Sequence, residues 1–241
     1  MPKKLILIIV ALSLLIIVFV LRTQPVATPS TETNTTAQLS FDKTKYSTSS
    51  PSSLWVVVNK QRPLPSSYSP KMLRTPDVAL RGGGEMLVRD EAATALEKMF
   101  AGAKQDGVDL TLVSGYRSFD YQRSVYQNFV SQDGEAAANR YSAKPGHSEH
   151  QTGLAVDVGQ ANGKCQLEEC FATTREGKWV SQNASRYGFI IRYKKNMESE
   201  VGFSFEPWHL RYVGPDLAQE IERTGQSMEA FFGLPPAPDY K

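Results

Sequence analysis

The sequence predicts an α+β fold: a small, largely antiparallel sheet with flanking helices, preceded by an N-terminal transmembrane helix. Three observations lead there. Strand-like stretches at residues 110–113, 154–158, 189–193 and 208–213 mix with helical spacing elsewhere, without the regular βαβ alternation of a parallel sheet. Residues 5–21 carry no charge, which is length enough to reach across a bilayer. Beyond a polar stretch rich in Thr, Ser and Pro, residues 46–241 are a suitable length for one domain with its own core.

The chain opens Met1-Pro2-Lys3-Lys4, and the apolar run ends at Arg22. Lysines ahead of the run favour a cytoplasmic N-terminus and an outward-facing remainder. Residues 1–22 are therefore expected to be a cytoplasmic stub and membrane anchor, and the protein a single-pass membrane protein with its domain on the extracytoplasmic side. A cleaved signal peptide is the alternative, with Val26-Ala27 as a possible cut. Residues 23–45 have too few large apolar side chains to order themselves and read as a flexible linker. Without residues 1–45, which carry a net +3, the formal charge of +2 becomes −1. A near-neutral domain gives no reason to expect a nucleic-acid partner. The two cysteines, Cys165 and Cys170, favour a local disulfide outside the membrane, since they lack the spacing and the second pair of a thiolate metal site.

Within the domain, residues 54–60 read as extended, and Pro63, Pro65 and Pro70 keep the next stretch irregular. Gly82-Gly83-Gly84 is a loop with no Gly-Lys-Ser/Thr after it, so no nucleotide is expected. Asp90 is placed to cap a helix burying Ala93, Leu96, Met99, Phe100 and Ala103, and Gly107 ends it. The strand at 110–113 runs into Ser114-Gly115-Tyr116-Arg117-Ser118. A helix after Ser118 is expected to bury Tyr121, Val125 and Phe129 until Gly134 breaks it, and residues 135–141 form another turn or two. Residues 179–187 are helical in pattern, residues 189–193 are β-branched and aromatic, and Pro215 can start a last helix through about Arg223. There is no internal repeat.

The chemistry concentrates in two segments. Gly146-His147-Ser148-Glu149-His150-Gln151-Thr152-Gly153 leads into a short strand bearing Asp157, and Glu206-Pro207-Trp208-His209 lies downstream. These hold all three histidines of the chain. A catalytic zinc takes three protein ligands of imidazole and carboxylate type and leaves one position open, and His150, Asp157 and His209 can supply that set. Glu206, near His209 in sequence, is placed to move a water proton, and Arg117 to stabilise a developing oxyanion. Each residue also has a plainer reading. Either histidine can be a satisfied core residue, Asp157 a cap, Glu206 a solvated charge, Arg117 an ion-pair partner, and His147 a bystander.

The pattern Ser148-x-His150-x-x-Gly153-x-Ala155-x-Asp157, with Glu206-x-x-His209 downstream and Ser114-Gly115-Tyr116-Arg117 upstream, resembles the VanY-type D-alanyl-D-alanine carboxypeptidases. These are zinc peptidases of bacterial peptidoglycan that share a fold with D-Ala-D-Ala dipeptidases and the Hedgehog signalling domain. The likeness runs from about Ser114 to Gly214. It implies one Zn2+ per domain on His150, Asp157 and His209, Glu206 as catalytic base, and Arg117 steadying the substrate carbonyl or carboxylate. Ser148 and Gln122 are implied as substrate contacts. The implied activity is removal of the C-terminal D-alanine from peptidoglycan stem peptides. L,D-carboxypeptidase action on the tetrapeptide stem, or a zinc-containing binding module without hydrolysis, are the alternatives.

Overall fold

The computed structural model describes residues 41–241, and Phe41–Lys241 forms one compact unit. The expected membrane span and most of the expected linker lie outside the described residues. Among those described, no helix is long and apolar enough to cross a membrane. The ordered chain takes in residues that composition assigns to the linker. Phe41 packs its ring on Trp55 and Phe231, each at 5.5 Å.

The strands are β1 (Leu73–Arg74), β2 (Val88–Arg89), β3 (Leu110–Ser114), β4 (Ala155–Gln160), β5 (Phe189–Tyr193) and β6 (Glu206–Tyr212). The helices are α1 (Asp90–Gln105), α2 (Phe119–Asp133), α3 (Glu135–Tyr141), α4 (Arg175–Asn183), α5 (Glu198–Val201), α6 (Pro215–Thr224) and α7 (Met228–Phe231). β1 and β2 make a small antiparallel pair, while the main sheet has the order β3-β4-β6-β5 with every neighbour antiparallel. The α+β expectation is met in the folded region.

Alternation along the strands separates the two faces of the main sheet. Leu112, Val156, Val158, Leu210 and Phe189 join Leu96 and Met99 of α1 and Val180 of α4 in the largest apolar core. The intervening positions Asp157, His209, Arg192 and Arg211 are buried as well, on the other face. A second apolar cluster of Trp55, Val57, Ile190, Leu217 and Phe231 closes the end where α6 and α7 pack.

Two local expectations are corrected. The cap of α1 is Arg89, and Asp90 is its first residue, paired with Arg74 Nε at 2.5 Å. That carboxylate serves the helix dipole and a neighbouring guanidinium instead of an amide. On α2 the buried residues are Gln122 and Tyr126, while Tyr121 is exposed. The helix is set one position round from its apolar pattern because Gln122 has polar partners inside and Phe129 is only partly covered, on a pocket wall. Ser118 does cap this helix, accepting from the Tyr121 amide at 3.1 Å. The extended segment expected at 54–60 is cut short: Leu54 and Trp55 lie in a turn, only 56–58 run free of turns, and Asn59 bridges to Arg62 across a tight turn.

Candidate metal centre and active-site pocket

His150 lies in a single 3-10 turn, Glu149–Thr152, ended by Gly153 at φ 70°. That left-handed conformation is one glycine adopts without steric cost. The turn aims His150 at the C-terminal end of β3, where its Nδ1 meets the Gly115 carbonyl at 2.7 Å. Glycine at 115 leaves room for the Leu87 carbonyl, which a Cβ there would meet at 2.5 Å and which accepts from the Tyr116 amide at 2.7 Å. With Nδ1–H donated, Nε2 is left as the free lone pair, and it has no hydrogen-bond partner.

Asp157 and His209 are register partners on β4 and β6. Bulges flank them on both sides. On β3 the step from Leu112 to Ser114 faces only Val158 to Asp157, so β3 carries one extra residue. On β6 the step from Glu206 to Leu210 faces only Ile191 to Tyr193, so the extra residues are on β6. Residues three apart on a regular strand point to opposite faces; the irregularity instead brings Glu206 Oε2 to 3.5 Å from His209 Nδ1.

His150, Asp157 and His209 thus each present a ligand atom within 4.8 Å of the others. His150 Nε2 is 3.3 Å from Asp157 Oδ2, and His209 Nδ1 is 3.3 Å from Asp157 Oδ1. A tetrahedral zinc with ligands at about 2.1 Å holds them about 3.4 Å apart, close to both histidine–carboxylate distances, which run to different oxygens of Asp157. Without an ion the two histidines differ in protonation. Burial, with Arg117 adding to it, pulls His150 down to about 4, the neutral form a ligand needs. Burial opposes the Asp157 charge, but His150 and His209 outweigh it and hold the carboxyl well below the usual range. Burial likewise opposes a charged His209, yet Asp157, Glu149 and Glu206 raise it to about 9. Three carboxylates converge on that ring, so the position calls for a cation. The donor set and its unpartnered buried atoms fit zinc.

Arg117 follows β3, and its amide donates to the His150 carbonyl at 3.2 Å. Its Nη1 donates to Gln122 Oε1 at 3.0 Å, Gln122 in turn donates to the Ala143 carbonyl at 2.8 Å, and Nη2 stands 3.5 Å from Asp157 Oδ2. Gln122 therefore orients Arg117. Burial raises Glu206 to about 7, with Asp157 acting in the same direction against His209 and Arg117. A carboxyl near neutrality is suited to take and return a proton.

These side chains open onto a pocket of about 590 Å³ that Ser148 also lines. Cys165 and Cys170 form a disulfide, and the loop it closes supplies Leu167, Glu168 and Glu169 to the pocket wall. His147 stands apart: its Nδ1 lies 2.9 Å from the Asn59 carbonyl and its ring packs on Tyr240. Sequence reasoning passed over Glu149, which is fully buried between the motif residues. Burial opposes its charge, and Arg192 and Arg211 hold the carboxyl well below the usual range. The available signal was an arginine at the inward position of an otherwise apolar strand, Phe189-Ile190-Ile191-Arg192-Tyr193, which demands a buried acid.

A zinc-type His-Asp-His cluster with a carboxyl and an arginine at its edge, on an antiparallel sheet, defines the class. The chain belongs to the VanY D-alanyl-D-alanine carboxypeptidase family, whose family model matches residues 85–215. YodJ of Bacillus subtilis (strain 168) is 45% identical over 185 residues, covering 76% of this chain and 68% of its own. Among solved structures, the LdcB LD-carboxypeptidase matches with TM-score 0.72 and 45% identity over 76% of this chain and 87% of its own. A mutant of the vancomycin-resistance D,D-pentapeptidase VanY from a VanB-type cassette, in complex with Zn(II), matches with TM-score 0.64 and 30% identity, over 76% of this chain and 99% of its own.

Proposed function

We propose that this protein is a zinc-dependent D-alanyl-D-alanine carboxypeptidase that removes the C-terminal D-alanine from peptidoglycan stem peptides. The observation that carries the reading is the convergence of His150, Asp157 and His209, with Glu206 3.5 Å from His209 and Arg117 3.5 Å from Asp157. Zinc, when bound by those three side chains, supplies Lewis acidity that makes water acidic enough to attack near neutral pH. Glu206 takes the proton of the attacking water and returns it to the departing D-alanine amine. Arg117, braced by Gln122, meets the negative charge on the substrate, either the developing oxyanion or the terminal carboxylate. Ser148 contacts the peptide from the pocket wall. An anchor in residues 1–22 would hold the domain on the extracytoplasmic side, beside its substrate.

A second reading, L,D-carboxypeptidase action on the tetrapeptide stem, is favoured by one observation: the identity to the LdcB LD-carboxypeptidase exceeds that to VanY. Both reactions release a terminal D-alanine and use the same groups. The test is mass spectrometry of pentapeptide and tetrapeptide stems after incubation with the protein, with and without a chelator. Alanine loss from the pentapeptide alone supports the D,D reading, and loss from the tetrapeptide supports the L,D one. No chelator-sensitive loss from either leaves a zinc-containing binding module.

A further inference from the structure

Behind the metal-facing side chains lies a second layer that the matched segment 85–215 does not complete. Glu149 is 1% exposed, and its Oε1 accepts from Arg192 Nε at 2.9 Å and Arg211 Nη1 at 2.8 Å. Arg192 gives its other two nitrogens to Glu229 at 2.9 and 2.6 Å, and Glu229 also accepts from Asn59 Nδ2 at 2.9 Å. Arg211 Nη2 finishes on the carbonyls of Leu54 at 3.1 Å and Val56 at 2.8 Å. Two arginines thus balance two carboxylates, all of them buried. One position is left over. Glu149 Oε2 has no hydrogen-bond partner, and neither has His209 Nε2, which faces it at 3.7 Å. Buried polar atoms without partners are rare, and two that face each other are more readily explained together than apart.

We infer that Glu149 is a positioning residue for His209: its Oε2 receives the His209 Nε2–H and so holds the ring in the tautomer whose Nδ1 faces Asp157 and Glu206. The inference rests on the zinc reading above. Carboxylates behind metal-binding imidazoles fix the tautomer and orientation of the ring and raise its basicity. Here the carboxylate is itself held by guanidinium groups on β5 and β6. Those guanidiniums are tied in turn to α7 through Glu229 and to the segment at 54–59. The two histidines use opposite nitrogens, because His150 spends Nδ1–H on the Gly115 carbonyl while His209 keeps Nε2–H for Glu149. A cluster that served only the fold would lower stability when cut but leave the tautomer and the metal affinity of the folded protein unmoved.

The experiment uses the full chain and Glu149→Gln, with Zn2+ affinity read by competition against a chromophoric chelator and folding checked by circular dichroism. The two arginines claim the amide oxygen of the new side chain, so its NH2 is left against Nε2–H and the favoured tautomer is lost. Zinc binding is expected to weaken by about 10- to 100-fold. A folded variant that binds zinc within about two-fold of the parent would overturn the inference, since that is far short of the usual loss for such a partner. The second measurement needs no variant: long-range 1H–15N correlation spectra of the histidine rings in the zinc-loaded parent. With only three histidines to assign, His209 is expected as the Nε2–H tautomer and His150 as the Nδ1–H tautomer. Nδ1–H on His209 would overturn the inference even if the variant did not fold. A parent that binds no zinc overturns the zinc reading itself, and this inference with it; tight parent binding with an unaffected variant overturns this inference alone.

Discussion

The two faces of the main sheet are equally dry and held by different forces. Val156 is 0% exposed and its neighbour Asp157 is 3%, so burial does not distinguish them. The face toward α1 and α4 is held by apolar packing, which is non-directional and scales with area. The opposite face buries charges that must be paired and aimed, and nearly all of them are. The buried side-chain atoms without partners among the described residues are Arg117 Nε, Glu149 Oε2, His150 Nε2, Gln151 Oε1, Asp157 Oδ1 and His209 Nε2. Five of these belong to the His150–Asp157–His209 cluster, to Arg117 beside it or to Glu149 of the His150 turn, and the apolar face has no counterpart. The chemistry sits where a satisfied polar network stops being satisfied.

The sharpest way to break the comparison is to act on one face and watch the other. Glu206→Ala removes the proton carrier and leaves the ligand set intact. Turnover on a stem peptide is expected to fall by about 10²–10⁴-fold, while zinc content by metal analysis stays at the parent level. Retained turnover would show that another group moves the proton. Leu210→Ala acts on the opposite side of the same strand, next to His209. Truncating a fully buried leucine is expected to cost about 2–5 kcal/mol in denaturant unfolding, with zinc affinity of the folded variant unchanged. A matching loss of zinc affinity would mean that the strand does not insulate its two faces.

Much of this was legible in the sequence, for physical reasons that also explain the rest. The four strands of the main sheet followed from short β-branched and aromatic runs bounded by glycine, and their antiparallel character from the lack of regular βαβ alternation. The meeting of His150, Asp157 and His209 was legible because histidines are few and lie in segments whose residue types suit zinc. Glu149 was not, since a glutamate between two motif residues looks like any solvated charge until Arg192 and Arg211 are seen beside it. Its partners come from β5, β6, α7 and the segment at 54–59, which only tertiary folding brings together. The face of α2 was misjudged for a related reason: Gln122 is drawn inward by Arg117 and the Ala143 carbonyl, and periodicity weighs only hydrophobicity.

The polar face should also show a conflict between stability and chemistry. Burial raises Glu206 to about 7 in the folded protein, above its value of 4.5 in an unfolded chain. A carboxyl with a raised folded-state pKa contributes stability that is fully present below the unfolded value and lost as pH rises through the folded one. Glu206 is therefore expected to contribute a loss of stability in the metal-free parent between about pH 4.5 and pH 8, by about 3 kcal/mol at most, beside the separate contributions of His150 and His209. Glu206→Gln, which cannot ionise, is expected to escape that loss. Denaturant melts of both proteins at pH 5 and pH 8, with chelator present, measure it. Equal pH dependence in the two would remove Glu206 as the source.

The smallest effect tests how far the site reaches beyond the sheet. Leu167, Glu168 and Glu169 form part of the pocket wall from a loop closed by Cys165 and Cys170, five positions apart. Closing so short a loop restricts the unfolded chain only modestly, and Cys165→Ser with Cys170→Ser is expected to cost about 2 kcal/mol in denaturant unfolding. The loop touches none of the three metal-facing side chains through a hydrogen bond, so zinc affinity should hold. Cys165 and Leu167 keep positive φ angles of 50° and 55°, a region non-glycine residues seldom occupy, so the freed loop is expected to relax away from the pocket. Substrate then loses one wall of its binding surface while the reacting groups stay in place, which raises KM with little change in kcat. A fall in kcat at constant KM would instead place the loop in contact with the reacting end of the peptide.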